Sequence, residues 1–223
     1  MDRFRLLLVS ATEIECTPIL RKMIDCTTIS PWLYAGTLQG QSVEILISGI
    51  GVATTTFRLT QTLINRSYHR AISMGIAGSF TDDIPLATVV QITEDCFADL
   101  GIDNNGTFLT LREAGFSNVD SDFMSNPSPT LSPHRNVLDI TVQTATGSQK
   151  RIDQLLNRYQ PEVETMENAA FFYVCRMTQI PFASFRAISN KVEPRNRENW
   201  QITEAIEKIN HAVNDLLIHH IIT

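Results

Sequence analysis

At 223 residues, 43% of them hydrophobic and 19% charged, the chain has the length and make-up of one globular domain with a sizeable core. A formal charge of −6 argues against a nucleic-acid binder, which needs clustered Lys and Arg to release counterions, and points to a small-molecule partner. The apolar run Leu6 to Val9 is cut short by Glu13 and Glu15, so neither a signal peptide nor a membrane span or partner is expected, and a cytoplasmic location follows.

Arg5 to Ser10 reads as a buried strand, followed after a polar turn by a helix from Glu13 to Met23. Val43 to Ser48 is a second strand, Gly49 and Gly51 its turn, and Val52 to Ile64 a helix with Phe57, Leu59 and Leu63 facing inward. Ala71 to Met74 is a strand ending in the glycine turn Gly75-Ile76-Ala77-Gly78, and Val89 to Thr93 and Val137 to Val142 are further strands. Residues 103–135, rich in Asn, Ser, Pro and Gly, read as an irregular excursion of the kind that can carry function. Met166 to Met177 reads as a helix, Phe182 to Ile188 as a strand, and Ile202 to Ile221 as a closing helix with apolar residues at helical spacing from Ile202 to Leu217. Strands alternating with helices over residues 1–223 predict a single α/β domain.

Cys16, Cys26, Cys96 and Cys175 are scattered without C-x-x-C spacing, which disfavours zinc and a disulfide framework and predicts buried free thiols. The five histidines show no metal spacing, and His219-His220 ends a helix where a protonated imidazole suits the dipole.

Two carboxylates and an amide stand out. Glu15 follows the first strand, where α/β sheets bind ligands, though Glu13 and Glu15 equally suit the first turn of a helix. Glu167 opens a helix within Glu164-Thr-Met-Glu-Asn-Ala-Ala170; an ionised carboxylate accepts two hydrogen bonds side by side, as a vicinal diol requires, while a helix N-terminal acid beside a core methionine is the plainer alternative. Asn190 ends Arg186-Ala-Ile-Ser-Asn, at a strand's C-terminal end, where it is either a turn residue or a polar group facing a ligand. Gly49, Gly51, Gly75 and Gly78 allow close backbone approach but make no dinucleotide fingerprint.

Ser10 to Glu15, Ser48 to Gly51, Glu164 to Ala170 and Arg186 to Asn190 together resemble the purine nucleosidase and nucleoside phosphorylase superfamily. Within it they resemble the futalosine hydrolases, which cut hypoxanthine from a modified inosine on a menaquinone pathway. The resemblance implies a central mixed β-sheet flanked by helices, and Glu15 as the base that activates water. It implies that Glu167 holds the ribose 2′,3′-diol over Met166, and that Asn190 faces the purine. Relatives that cleave adenine carry Asp at that last position to protonate N7; an amide suits a 6-oxopurine better. Ile76 and Gly78 would line the pocket near the anomeric carbon, and Thr144 and Thr146 would lie beside the base. Arg195 or Arg197 would pair with an aromatic carboxylate on the sugar's 5′ end, with Trp200 packed nearby. Ile76 and an arginine-free first loop offer a phosphate nothing, which favours water as nucleophile. A dimer or larger oligomer is implied, with no cofactor and no metal. Three alternatives stay open: a phosphorolytic 6-oxopurine nucleoside phosphorylase, an adenine-specific methylthioadenosine/adenosylhomocysteine nucleosidase, and a nucleoside-binding module without catalysis.

Overall fold

The apolar runs that read as strands are buried on both faces, as strands covered by helices on each side must be. The computed structural model describes residues 4–116, 121–127, 132–194 and 196–218. The elements in order are β1 (Arg5–Ser10), α1 (Glu13–Leu20), β2 (Ile24–Ser30), β3 (Leu33–Leu38), β4 (Gln41–Ile47), α2 (Val52–Asn65), β5 (Arg70–Ser79), β6 (Val89–Asp95), β7 (Gly101–Asn104), β8 (Thr107–Thr110), β9 (Met124–Ser125), β10 (Arg135–Thr141), α3 (Gln149–Tyr159), β11 (Val163–Thr165), α4 (Asn168–Met177), β12 (Phe182–Lys191) and α5 (Ile202–Ile218).

The main sheet runs β11-β10-β6-β12-β5-β1-β4-β3-β2, and β11 also pairs antiparallel with β5, setting Glu164 opposite Gly78. That extra pairing closes β5, β12, β6, β10 and β11 into a ring, from which β1, β4, β3 and β2 extend as an open wing. Parallel and antiparallel pairs occur together, so the sheet is mixed, as the resemblance implied.

Helices α1 and α5 cover one face, burying Cys16, Ile19, Ile209 and Val213 against Leu6, Ile72 and Phe185. The other face carries α2 and α4, where Phe171 and Phe172 meet Phe182 edge-to-face at 5.7 and 4.8 Å. Burying each such ring contributes roughly 2 to 3 kcal/mol. Helix α3 closes the ring's end with Leu155 and Tyr159 on Ile140 and Val142. No described helix is long and apolar enough to cross a membrane.

Several expectations change. Helix α1 stops at Leu20, and β2 and β3, a hairpin not predicted whose first strand is exposed, follow it. Phe57 is 64% exposed rather than inward, because the buried stripe of α2 runs through Thr55, Leu59 and Thr62. Gly75-Ile76-Ala77-Gly78 is not a turn but the last part of β5, and β12 likewise runs on through Asn190. Gly49 and Gly51 do form a turn, at φ of 83° and 89°. The excursion contains the hairpin β7–β8 and the short β9, with 117–120 and 128–131 outside the described residues. Helix α3 was unforeseen, and Met166 and Glu167 precede α4 instead of lying within it. Cys26 is exposed on β2, while the other three thiols are buried. His219 and His220 lie outside the described residues.

Candidate active site

Beyond β1, and at the C-terminal ends of β5, β11 and β12, lies a cavity of about 500 Å³. Its wall includes Glu15, Ile76, Gly78, Thr146, Glu164, Met166, Glu167, Asn190, Arg197 and Trp200. Strand ends are where α/β sheets leave backbone groups and side chains free to converge on a ligand.

Glu15 is held there by the start of α1. Its Oε2 accepts the Thr12 backbone N–H at 2.9 Å and the Thr12 hydroxyl at 2.8 Å, and Oε1 accepts the Ile76 N–H at 3.1 Å. The helix-capping role and the ligand-facing role, alternatives in the sequence, are filled by one carboxylate: capping fixes its orientation. It is 8% exposed. Glu13, by contrast, turns outward and accepts the Tyr34 hydroxyl at 3.2 Å.

Glu167 stands at the N-cap position of α4, but its carboxylate turns from the helix to accept the Gly51 N–H at 2.9 Å, which ties the Gly49–Gly51 turn to the site. Burial raises its pKa above the usual carboxylate value, and the Gly51 N–H partly opposes this. Behind the main cavity a void of about 10 Å³, the scale of one water molecule, lies among Glu15, Glu167, Arg186, Ser73 and Gly75. Arg186, buried on β12, donates to the Phe185 carbonyl at 2.9 Å and the Ser73 hydroxyl at 2.9 Å. Sequence reasoning quoted Arg186 within its motif without giving it a role; the signal was an arginine inside an apolar strand.

This corner rests on a buried polar network. Asp95 accepts from Thr141 and from Asn168, each at 2.9 Å; Thr141 in turn accepts the Ala169 N–H at 2.8 Å, which pins the start of α4. Asn168 Oδ1 accepts the Ser184 hydroxyl at 2.6 Å. Asp95 and Asp139 are fully buried side by side, and burial raises both pKa values, Asp139 further through the charge of Asp95.

Asn190, on the wall of the same cavity, sits after a bulge at Ser189, which aims it at the pocket. Its Oδ1 accepts the Ser189 hydroxyl at 2.7 Å and its Nδ2 donates to the Lys191 carbonyl at 2.9 Å, leaving one amide N–H and one lone pair for a ligand. Lys191 is turned away: its ammonium donates to the Thr81 and Ile84 carbonyls. Arg197 lies over the Trp200 ring, 5.6 Å from its centroid.

Of the residues singled out in the sequence, Glu15, Ile76, Gly78, Thr146, Met166, Glu167, Asn190 and Arg197 come together here. Thr144 does not: it is exposed and outside the cavity wall, because its neighbours Ala145 and Thr146 are the ones facing inward. Arg195 lies outside the described residues. Nor does any described residue of the 103–135 excursion line the cavity. Sequence reasoning missed Glu164, whose Oε1 accepts the Thr146 N–H at 2.9 Å. Among the described residues no three His, Cys, Asp or Glu side chains cluster as a metal site requires.

The chain belongs to the phosphorylase superfamily, whose family model matches residues 5–221. It is 29% identical over 185 residues to the futalosine hydrolase of Streptomyces coelicolor, covering 78% of this chain and 77% of that protein. Two solved structures share its fold. One is the 5′-methylthioadenosine/S-adenosylhomocysteine nucleosidase of Neisseria meningitidis in complex with methylthio-immucillin-A (TM-score 0.82, 17% identity, 96% of this chain and 99% of that one). The other is the futalosine hydrolase of Helicobacter pylori (TM-score 0.81, 14% identity, 97% and 98%).

Proposed function

We propose that this member of the phosphorylase superfamily hydrolyses the N-ribosidic bond of futalosine, releasing hypoxanthine and dehypoxanthine futalosine in menaquinone biosynthesis. The observation that carries the reading is that Glu15, Glu167 and Asn190 line one cavity, with a void of one water's scale between Glu15 and Glu167 behind it. Kinship with the Streptomyces coelicolor futalosine hydrolase supports the choice of substrate.

In this reading Glu15 takes a proton from water as the water oxygen bonds to C1′ and the C1′–N9 bond breaks. The bonding pair leaves with the purine and spreads toward N7 and O6, where the free N–H of Asn190 donates. Glu167 accepts the ribose hydroxyls, with Met166 beneath the sugar. Arg197, stacked on Trp200, pairs with an aromatic carboxylate at the 5′ end.

Water is favoured over phosphate because Lys191 and Arg58, two cations that could otherwise clamp a phosphate, are engaged elsewhere. Lys191 is bound to carbonyls, and Arg58 donates to the Ile47 carbonyl at 3.0 Å and stacks on Trp32. A homodimer belongs to the same proposal. Its support is the exposed apolar stripe of Phe57 and Ile64 on α2 with Tyr173 and Met177 on α4, two helices packed side by side.

The test is chromatographic detection of free base after incubation with futalosine, inosine or methylthioadenosine, each with and without phosphate. Phosphate-independent release of hypoxanthine from futalosine is expected. Phosphate-dependent release from inosine, or adenine release from methylthioadenosine alone, would replace this reading, and no release at all would leave a binding module.

A further inference from the structure

Helix α1, which carries Glu15, is eight residues long and has Pro18 inside it. So short a helix is marginal alone, and the proline removes one backbone donor from its ladder. Support from a neighbouring element is needed to fix its main chain, and that element is α5, packed against it.

The Glu15 carbonyl and the Ile19 N–H are four residues apart, the spacing of one rung of the helix ladder. The side-chain amide of Asn210, on α5, meets both of them: Oδ1 accepts the Ile19 N–H at 3.2 Å, and Nδ2 donates to the Glu15 carbonyl at 2.6 Å. The second amide N–H goes to the Ile206 carbonyl, one turn back on α5, at 2.7 Å. Asn210 is 2% exposed, and both of its donors are used. A leucine there would offer neither donor nor acceptor, and a carboxylate would set oxygen against two carbonyls.

We infer that Asn210 is a positioning residue for Glu15: it holds the main chain of the base, as Thr12 and Ile76 hold its carboxylate, and so seats Glu15 beside the water-sized void. This rests on the nucleosidase reading above, in which Glu15 is the base. Ile202 and Ile206 of α5 line the cavity, so the same amide also fixes the base relative to that wall. Met166, Glu167 and Asn190, which hold sugar and purine in that reading, stand on β12 and between β11 and α4. Loss of the clamp should therefore appear in kcat and leave KM nearly alone.

Asn210→Leu should lower kcat for futalosine on the order of 10- to 100-fold, because misplacements near 1 Å cost about 100-fold, while KM moves by less than about threefold. Asn210→Asp, equal in size, loses at least one of the two donors and should show a smaller fall of the same kind. The control is Asn214→Leu, one turn further along α5: Asn214 is also buried, but it accepts from Gln39 at 2.9 Å, away from the cavity, so kcat should stay near wild type. In a Glu15→Gln background, Asn210→Leu should cost less than about twofold, because the contribution of groups that act as a unit is lost only once. A kcat near wild type in Asn210→Leu, or a loss that multiplies with that of Glu15→Gln, would overturn the inference. If the wild type released no base, the proposed reaction would fail, and amide hydrogen exchange would still decide the clamp: α1 should exchange faster in Asn210→Leu than in wild type or Asn214→Leu, and unchanged exchange would overturn it.

Discussion

Glu15 and Gly75 share one space: the Oε1 of Glu15 lies 2.7 Å from where a Cβ on residue 75 would stand. The glycine is what lets the carboxylate fold back over β5 to reach the Ile76 N–H. Because the obstructing atom is the end of a flexible side chain, Gly75→Ala should cost little stability. It should nonetheless displace the carboxylate, and misplacements near 1 Å cost about 100-fold in rate. Measured kcat should therefore drop about 100-fold with the melting temperature nearly unchanged. Glu15→Gln, which removes the base itself, should lower kcat by roughly 100- to 10,000-fold while substrate still binds. Near-wild-type rates in either variant would remove Glu15 from the mechanism.

Glu167 should act on binding through its ionised form. Burial raises its pKa above the ordinary 4.5, so the carboxylate needed for the diol is lost at a higher pH than in water. Accordingly kcat/KM for the wild type should climb with pH through a value above 4.5. Glu167→Gln keeps one acceptor of two, so it should raise KM about tenfold or more and flatten that limb. A limb that persists unchanged in the variant would assign the titration to another group.

How far the sequence could be read follows from what each element's residues do. Strands β1, β4, β5 and β12 were legible because they are largely buried on both faces and so appear as mainly apolar runs. Strand β2, Ile24-Asp-Cys-Thr-Thr-Ile-Ser30, is exposed along almost its whole length and carries no such run. The glycines of β5 were misread as a turn because a glycine required by a neighbouring side chain looks the same in sequence as one required by a positive φ. Glu15, Glu167 and Asn190 were found through family resemblance, and the cavity they line gives that reading a geometry. Glu164 and Arg186 were passed over because their places depend on the fold: strand pairing sets Glu164 opposite Gly78 at the cavity wall, and β12 brings Arg186 to the void behind Glu15.

Phe57 points outward from α2 together with Ile64, beside Tyr173 and Met177 of α4. An exposed stripe of that size fits self-association, and a charge placed in it would be desolvated by a partner copy. Phe57→Lys should give monomers by sedimentation while far-ultraviolet circular dichroism stays native. A wild-type protein that is monomeric at micromolar concentration, or a variant that still dimerises, would take the interface off this face.

The buried pair of Asp95 and Asp139 sets a pH dependence of the opposite sense to that of a salt-bridged acid. Apart from the hydrogen bond between them, the Oδ1 atoms of the two carboxyls have no partner among the described residues, which is the arrangement of a pair holding one proton. Both pKa values are raised on folding, so above the ordinary Asp value of 3.8 the folded chain binds more protons than the unfolded one. Stability contributed by this pair is therefore complete below that value and lost as pH rises through the raised one. Asp139→Asn imitates the protonated partner: its amide oxygen can accept the Thr165 hydroxyl, which lies 2.7 Å from Asp139 Oδ2, and its NH₂ can donate to Asp95. Urea unfolding at pH 5 and pH 8 should show the wild type losing stability across that interval by about 1 kcal/mol or more, since a tenfold difference in proton affinity between the folded and unfolded chain corresponds to about 1.4 kcal/mol. The variant should lose much less; an equal loss in both would mean that other groups carry the dependence.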